Sequence, residues 1–461
     1  MPMLSAAPMP IWTLKPRAER RLRGGHPWVF NNELAHRPGQ VAPGDPVELH
    51  DAAGRFLARG YGHPHTLIAF RALSREAAEE HPWCSAGLLL RLQRAAALRE
   101  RLGLGAASHR LVFGEADELP GVVLDRYRLH TADGAPAQVL VLQEHTAGAE
   151  RLHAALLEAL QTLVEHEAQR SAQRPMGAAG DAGAAAGWAR TALVLRNDVS
   201  MRELEGLAKL PPALLHDPAG LDPARARIVL RAAGDPARTI ALEADLLAGQ
   251  KTGFYLDQAA NVRMVAQLLA GSLRAGIQAA GPDPAPLRVL DLFAYVGQWG
   301  AQLSRVATAA GRAVAVTAVD SSAQALALAE ANVRAAGGGW ETLRADILRG
   351  LDALPARSYD VVVADPPAFI KGRKALPTGR AAYVKLNAMA LGLLRPGGLL
   401  VTCSCSQLLD EDAFRDVLHH AALRAGVPVR WIARGGQAPD HPLLAAFPEG
   451  HYLKCWVGVA D

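Results

Sequence analysis

Over residues 287–407 short apolar runs alternate with helical segments, and each run ends in or beside a carboxylate or a thiol. Leu287-Arg288-Val289-Leu290-Asp291-Leu292-Phe293 comes first, residues 313–320 close on Asp320, and Ala345-Asp346-Ile347 ends a third run. Tyr359-Asp360-Val361-Val362-Val363-Ala364 closes on Asp365, and Gly397-Gly398-Leu399-Leu400-Val401-Thr402 leads into Cys403-Ser404-Cys405-Ser406. Near-continuous apolar runs of this length suit strands buried on both faces. Such strands, alternating with helices, form an open α/β sheet, which takes its ligand outside the carboxyl ends of the strands. The residues that close each run are therefore the candidates for chemistry.

The first turn, Ala294-Tyr295-Val296-Gly297-Gln298-Trp299-Gly300, has glycine only at Gly297 and Gly300. It lacks the G-x-G-x-x-G that close approach to a pyrophosphate requires. S-adenosylmethionine has no phosphate and needs no such cradle. Its ammonium and cationic sulfur favour a carboxylate instead. Asp291 is expected to shape that end of the pocket, with Phe293, Tyr295 and Gly297 in the turn. Asp320, followed by Ser321, lies where an acid takes the two ribose hydroxyls. Asp346 is placed to accept from the adenine amino group, and Asp365 closes the pocket. Helix capping explains any one strand-end acid; Asp291, Asp320 and Asp346 in this order and spacing point to the cofactor.

Asp365-Pro366-Pro367-Ala368-Phe369 fixes the backbone through its two prolines and offers Phe369 to stack a base. Pro366, Pro367 and Phe369 are the substrate-binding candidates. Similar acid-Pro-Pro-aromatic motifs occur in enzymes that methylate base amino groups, without a covalent nucleophile. Carbon 5 of cytosine differs, because it becomes nucleophilic only when a thiolate adds to carbon 6. A cysteine at a strand end meets that need, although strand cysteines are commonly small buried hydrophobes. Cys403 and Cys405 lie two apart and would share a face, so alternation does not choose between them.

The rest of the chain reads as support. Its 461 residues exceed one ordinary core. The predicted division is 1–80, an RNA-binding domain; 81–245, an α+β middle domain; and 246–461, the catalytic domain. Residues 11–75 read as short strands broken by Gly and Pro. Arg20, Arg21 and Arg23 form a basic cluster there, fit either to hold phosphates or to be a solvated helix face. Residues 82–105 show a helical stripe of Leu88, Leu89, Leu92, Ala95 and Leu98. Residues 169–188 are low-complexity and read as a mobile insertion, and residues 280–286 are a second weak segment. Asp257 is placed to cap the helix that follows it. The net charge of +4 allows a nucleic-acid partner without demanding one. Four cysteines with no C-x-x-C pair argue against a disulfide framework or a metal site. No apolar run approaches the ~20 residues that span a bilayer, and no secretory signal is visible, so a cytoplasmic location is expected.

Several segments resemble one family. Gly25-His26-Pro27-Trp28-Val29-Phe30-Asn31-Asn32-Glu33-Leu34 resembles the start of a PUA domain, and Gly44-Asp45-Pro46-Val47-Glu48-Leu49 resembles a strand of the same small barrel. Arg202-Glu203-Leu204-Glu205-Gly206-Leu207 and the ending over residues 440–456 continue the likeness. Nearly the whole chain, apart from the insertions, resembles the rRNA large subunit methyltransferase I family. The resemblance implies a PUA β-barrel, an α+β middle domain and a class I Rossmann-like methyltransferase domain. It implies S-adenosylmethionine as cofactor and 5-methylcytidine in large-subunit ribosomal RNA as product, and a homodimer is compatible with it. Lys251, Tyr255 and Gln258 flank the cofactor pocket in such proteins. Counting back from the acidic helix start Asp410-Glu411-Asp412, as in the family, favours Cys405 as nucleophile, with Asp365 on the ring edge. His441 then reads as a turn histidine and Cys455 as packing. Two rivals stand beside this reading: base-amino methylation with Cys405 structural, and an RNA-binding protein with a degenerate catalytic domain. The intact Asp291, Asp320 and Asp365 oppose the latter.

Overall fold

A computed structural model describes residues 9–35, 41–173, 185–235, 237–275 and 285–461. Most of the low-complexity insertion, and residues 280–284 of the second weak segment, lie outside the described residues. The chain divides into two units. The first holds Met1–Val229, Asp245–Phe254 and Asp440–Gly450, and the second Leu230–Ala244, Tyr255–Pro439 and His451–Asp461. Among the described residues no helix is long and apolar enough to cross a membrane.

In the first unit, strands Ile11–Thr13, Asp45–His50, Phe56–Gly62, Ile68–Ser74 and Trp28–Phe30 form a five-stranded curled sheet in that order. It closes around Leu14, Val47, Leu49 and Phe70. A second five-stranded sheet, Ala213–His216, Thr191–Leu195, Gln138–Glu144, Val122–Arg128 and His109–Phe113, carries helices Ser85–Arg101 and His153–Ala172. Helix Ser85–Arg101 buries Leu88, Leu92 and Ala95 as its spacing predicts, but Leu89 and Leu98 are only half-buried. Ala96, Arg91 and Arg99 take the remaining buried places. Burying guanidinium groups costs free energy unless they are paired. Arg91 is paired with Glu79 at 2.7 Å and Arg99 with both oxygens of Asp117.

The two sheets have their own cores, although Leu73 of the curled sheet packs into the second, and a buried ion cluster also joins them. Arg71 of the curled sheet donates to Glu115 at 3.1 Å and to Glu205 at 2.9 Å. Trp28 Nε1 donates to the same Glu115 at 2.8 Å. Glu115 and Glu205 thus hold the two sheets together.

The second unit is built on a seven-stranded sheet. Its strands are β1 Leu287–Leu292, β2 Val314–Asp320, β3 Gly339–Arg344, β4 Tyr359–Ala364, β5 Leu394–Ser404, β6 Val429–Gly436 and β7 Lys454–Ala460. Their order is β3-β2-β1-β4-β5-β7-β6. The first five run parallel, and β7 is antiparallel to both β5 and β6. This is the class I methyltransferase sheet, with its switch in strand order between β1 and β4. Helices α1 Ala259–Arg274, α2 Gln298–Ala309, α3 Ala323–Ala335, α4 Leu376–Leu393 and α5 Glu411–Ala425 accompany it. β4 is buried at every position, which is why its sequence is apolar throughout. Val362 and Leu400 are wholly enclosed, and each such side chain stabilises the fold by about 1.5–3 kcal/mol.

Two local expectations are corrected. The third run was expected to end in Asp346, but β3 ends at Arg344 and Asp346 starts a short 3-10 turn by accepting from Leu348 N. β3 is an edge strand with largely exposed side chains, so its boundary left little apolar signal. Asp257 does not cap α1. The helix begins after Gln258 with no side-chain cap, and the Asp257 carboxylate accepts from Tyr452 Oη at 2.6 Å.

Candidate active site

The turn after β1 is held in an uncommon conformation. Phe293, Tyr295 and Gly297 have φ of 63°, 47° and 74°. For residues with a Cβ the left-handed region costs on the order of 1–3 kcal/mol, so the surroundings must enforce it. Phe293 N donates to the Val319 carbonyl at 2.9 Å, and Tyr295 N to Asp320 Oδ2 at 3.1 Å. A Cβ on Gly297 would stand 2.9 Å from the Ala329 Cβ, so both the turn and the close approach of α3 require glycine. The turn leaves both aromatic rings half-buried. Tyr295 lies edge-on to Tyr255 at 5.3 Å, and Phe293 edge-on to Phe369 at 6.3 Å.

The strand-end acids have different surroundings. Asp291 is 1 % exposed. Its Oδ2 accepts from Gly300 N at 3.1 Å, while Oδ1 is buried without a hydrogen-bond partner. Burial pushes its carboxyl up to about 7, with the charges of Asp365 and Asp320 adding. Asp320 is half-buried and accepts from Tyr295 N and, at 2.9 Å, from Ser322 N. Ser321 is exposed, and it is Ser322 that caps α3. Asp346 is exposed and pairs with Arg349 at 3.2 Å.

Asp365 follows β4, and its carboxylate is gripped by neutral donors on both sides. Gln258 Nε2 donates to Oδ1 at 2.8 Å, and Trp299 Nε1 to Oδ2 at 3.1 Å. Gln258 is itself fixed, since its Oε1 accepts from Asn261 Nδ2 at 2.6 Å. Pro366 is buried and Pro367 exposed. Phe369 packs against Tyr383 with ring centres 4.7 Å apart.

Cys403 and Cys405 have different surroundings. β5 ends at Ser404, between them, so the strand alternation that would give them one face stops. Cys403 is wholly buried opposite Cys455 in the ladder, with its Sγ 4.0 Å from Gln258 Oε1. Burial pushes its thiol well up, and Cys455 adds to this. Cys405 is half-buried, and its Sγ donates to the Pro366 carbonyl at 3.7 Å.

Of the other candidates, Tyr255 and Gln258 belong to this cluster, and Lys251 belongs to the first unit. Arg21 in that unit pairs with Glu33 at 3.0 Å and covers the Phe30 ring, and Arg23 pairs with Asp51 at 3.0 Å. Arg20 is exposed and makes no ion pair among the described residues. Sequence reasoning missed Trp299, Tyr452 and Lys454. The one available signal for Lys454 was a single lysine heading an apolar strand. Its Nζ donates to the carbonyls of Ser406 at 2.7 Å and Tyr452 at 2.9 Å.

Comparison with known proteins agrees with this architecture. Residues 13–75 match the PUA-like domain model, and residues 277–426 match the methyltransferase small domain model. The chain is similar in structure to a candidate SAM-dependent methyltransferase from Streptococcus mutans, with TM-score 0.66 and 17% identity over 98% of this chain and 100% of that one. In sequence it is 32% identical to ribosomal RNA large subunit methyltransferase I of Salmonella arizonae, over 96% of both chains. It is 34% identical to the Shewanella denitrificans protein of that name, over 96% of this chain and 97% of that one. With that identity across nearly its full length, and with the sheet order and domain matches above, the chain belongs to the ribosomal RNA large subunit methyltransferase I family.

Proposed function

We propose that this protein methylates carbon 5 of a cytidine in large-subunit ribosomal RNA, with Cys405 as the nucleophile. The observation that carries the reading is the contrast between the two cysteines. Cys403 is enclosed beside Cys455, whereas Cys405 stands half-buried against Pro366, next to the oriented carboxylate of Asp365. The curated relatives carry the name of ribosomal RNA large subunit methyltransferases.

The residues present fit S-adenosylmethionine. Asp291 has a buried oxygen without a partner, suited to the cationic methionine end, and Asp320 retains lone pairs for ribose hydroxyls beyond the two backbone N–H groups it accepts. Bound there, the cofactor supplies an electrophilic methyl on a sulfonium. The chain prepares the acceptor. The Cys405 thiolate adds to carbon 6, and the electron pair of the 5,6 double bond makes carbon 5 nucleophilic. Asp365, fixed by Gln258 and Trp299, accepts from the ring edge. After transfer a base takes the proton from carbon 5, the electron pair left behind re-forms the 5,6 double bond, and the Sγ–carbon bond breaks with its pair leaving on sulfur as the thiolate. Phe369 and Tyr295 offer ring surface to a base drawn out of its stack. The PUA-like segment, with Arg20 and Arg23 on its short helix, serves RNA binding.

Mass mapping of methylated nucleosides in ribosomal RNA, from cells with and without the protein, tests this. Loss of one 5-methylcytidine is expected. Loss of an amino-methylated adenosine or guanosine would favour the reading that the Asp365-Pro366-Pro367-Phe369 motif also permits.

A further inference from the structure

Lys454 opens β7 opposite Ser404 and is 2 % exposed. An ammonium in such a place is costly unless it has a counter-charge as well as hydrogen bonds. Two backbone carbonyls take two of its three N–H groups. Lys454 makes no ion pair with a carboxylate among the described residues. The acids at the start of α5 are otherwise engaged: Asp410 accepts from Ala413 N at 2.8 Å, and Glu411 from Trp456 Nε1 at 2.6 Å. One of the carbonyls that anchor Nζ belongs to Ser406, the neighbour of Cys405, so the ammonium is tied to the segment that carries the thiol.

We infer that Lys454 is a positioning residue whose buried ammonium acts as counter-ion to the Cys405 thiolate and keeps it ionised for attack. This rests on the reading of Cys405 as nucleophile. The Tyr255 and Tyr383 hydroxyls, which feel the Cys405 charge, are raised by burial and stay neutral, and the acids Asp410 and Glu411 face Lys454 itself. Burial lowers the Lys454 ammonium to about 8, and Cys405 is the first of the groups that oppose this, ahead of Glu411 and Asp410. Lys454 therefore holds its proton at neutral pH. The thiol gives its own proton to solvent, and nothing is oxidised or reduced.

The test is the pH dependence of Cys405 alkylation by iodoacetamide in the full-length protein, read by peptide mass mapping so that exposed Cys84 is counted separately. Wild type should show a thiolate midpoint below that of a free cysteine. Lys454→Met should raise the midpoint by about one pH unit or more, leaving about tenfold less thiolate at pH 7. Lys454→Arg should restore most of the shift. Should the methionine variant fail to fold, Lys454→Gln, which keeps a donor but not the charge, takes its place. A midpoint unchanged in a folded neutral variant overturns the inference. Alkylation is independent of methyl transfer, so the two readings fail separately. If the midpoint moves while Cys405→Ala still forms a covalent RNA adduct, the counter-ion stands and the nucleophile is wrong. If Cys405→Ala abolishes the adduct while the midpoint stays put, Lys454 alone is misassigned.

Discussion

Gln258 donates to Asp365 at 2.8 Å across a separation of 107 residues, so the start of α1 fixes the acid that closes β4. The oxygen of that amide accepts from Asn261, making Gln258 the hinge of a buried polar chain. Replacing it with Ala should free Asp365 to rotate and leave Asn261 unsatisfied. A buried donor without a partner costs about 1–3 kcal/mol. Urea unfolding should register that loss, and the turnover of methyl transfer should fall by about tenfold or more, as expected when a reacting group is misplaced. Trp299→Phe, which removes only the indole N–H, should lower turnover in the same direction with a smaller stability change.

Asp320 accepts from Tyr295 N and Ser322 N, which ties the cofactor turn to the start of α3. Asp320→Ala should weaken S-adenosylmethionine binding by about 1.5–3 kcal/mol, the worth of a charged hydrogen bond. Calorimetry giving unchanged affinity would remove Asp320 from the pocket.

Asp291 makes stability depend on pH with a definite sign. Its folded-state carboxyl stands at about 7 against 3.8 for an ordinary aspartate, so the folded state binds the extra proton between those values. The stability this proton contributes is full below about pH 4 and is lost as pH rises through 7. Denaturant titrations at pH 5 and pH 8 should therefore show a larger fall for wild type than for Asp291→Asn, which is neutral throughout. Equal falls in the two proteins would mean that Asp291 is ionised in the fold at both values.

The basic cluster near the N-terminus divides by partner. Arg21 is committed to Glu33, and its loss should lower stability. Arg20 is exposed and makes no ion pair among the described residues, whereas Arg23, also exposed, pairs with the buried Asp51 at 3.0 Å. Changing both to Ala should weaken RNA binding and flatten the plot of log affinity against log salt by about 0.7–0.9 for each phosphate no longer neutralised. An unchanged slope would assign these two arginines to plain solvated surface.

Much of the second unit was legible because β1, β2, β4 and β5 are buried strands, and burial on both faces writes itself as an apolar run. β3 was not, because an edge strand with exposed side chains has no such run. Helix Ser85–Arg101 shows another limit, since the sequence gives no sign that Arg91 and Arg99 are buried until their partners Glu79 and Asp117 are seen. The acids Asp291, Asp320 and Asp365 could be located by strand ends. The resemblance placed Gln258 beside the pocket, but its bond to Asp365 and that of Trp299 could not be read, because both reach Asp365 through the fold and not along the chain. Cys403 and Cys405 looked alike by spacing, and only the end of β5 at Ser404 separates their surroundings. Lys454 lay hidden because the Ser406 carbonyl it meets is 48 residues away.

The most direct measurement is covalent trapping on RNA that carries 5-fluorocytidine at the target position. Fluorine at carbon 5 blocks the final proton loss, so the bond between Sγ and carbon 6 persists. Wild type and Cys403→Ala should both form an adduct stable to denaturing electrophoresis, with the RNA mapped to the peptide containing Cys405. Cys405→Ala should form none. An adduct in Cys405→Ala together with its loss in Cys403→Ala would contradict the choice of nucleophile. Methylation of RNA by wild type with no adduct at all would contradict the carbon-5 mechanism itself.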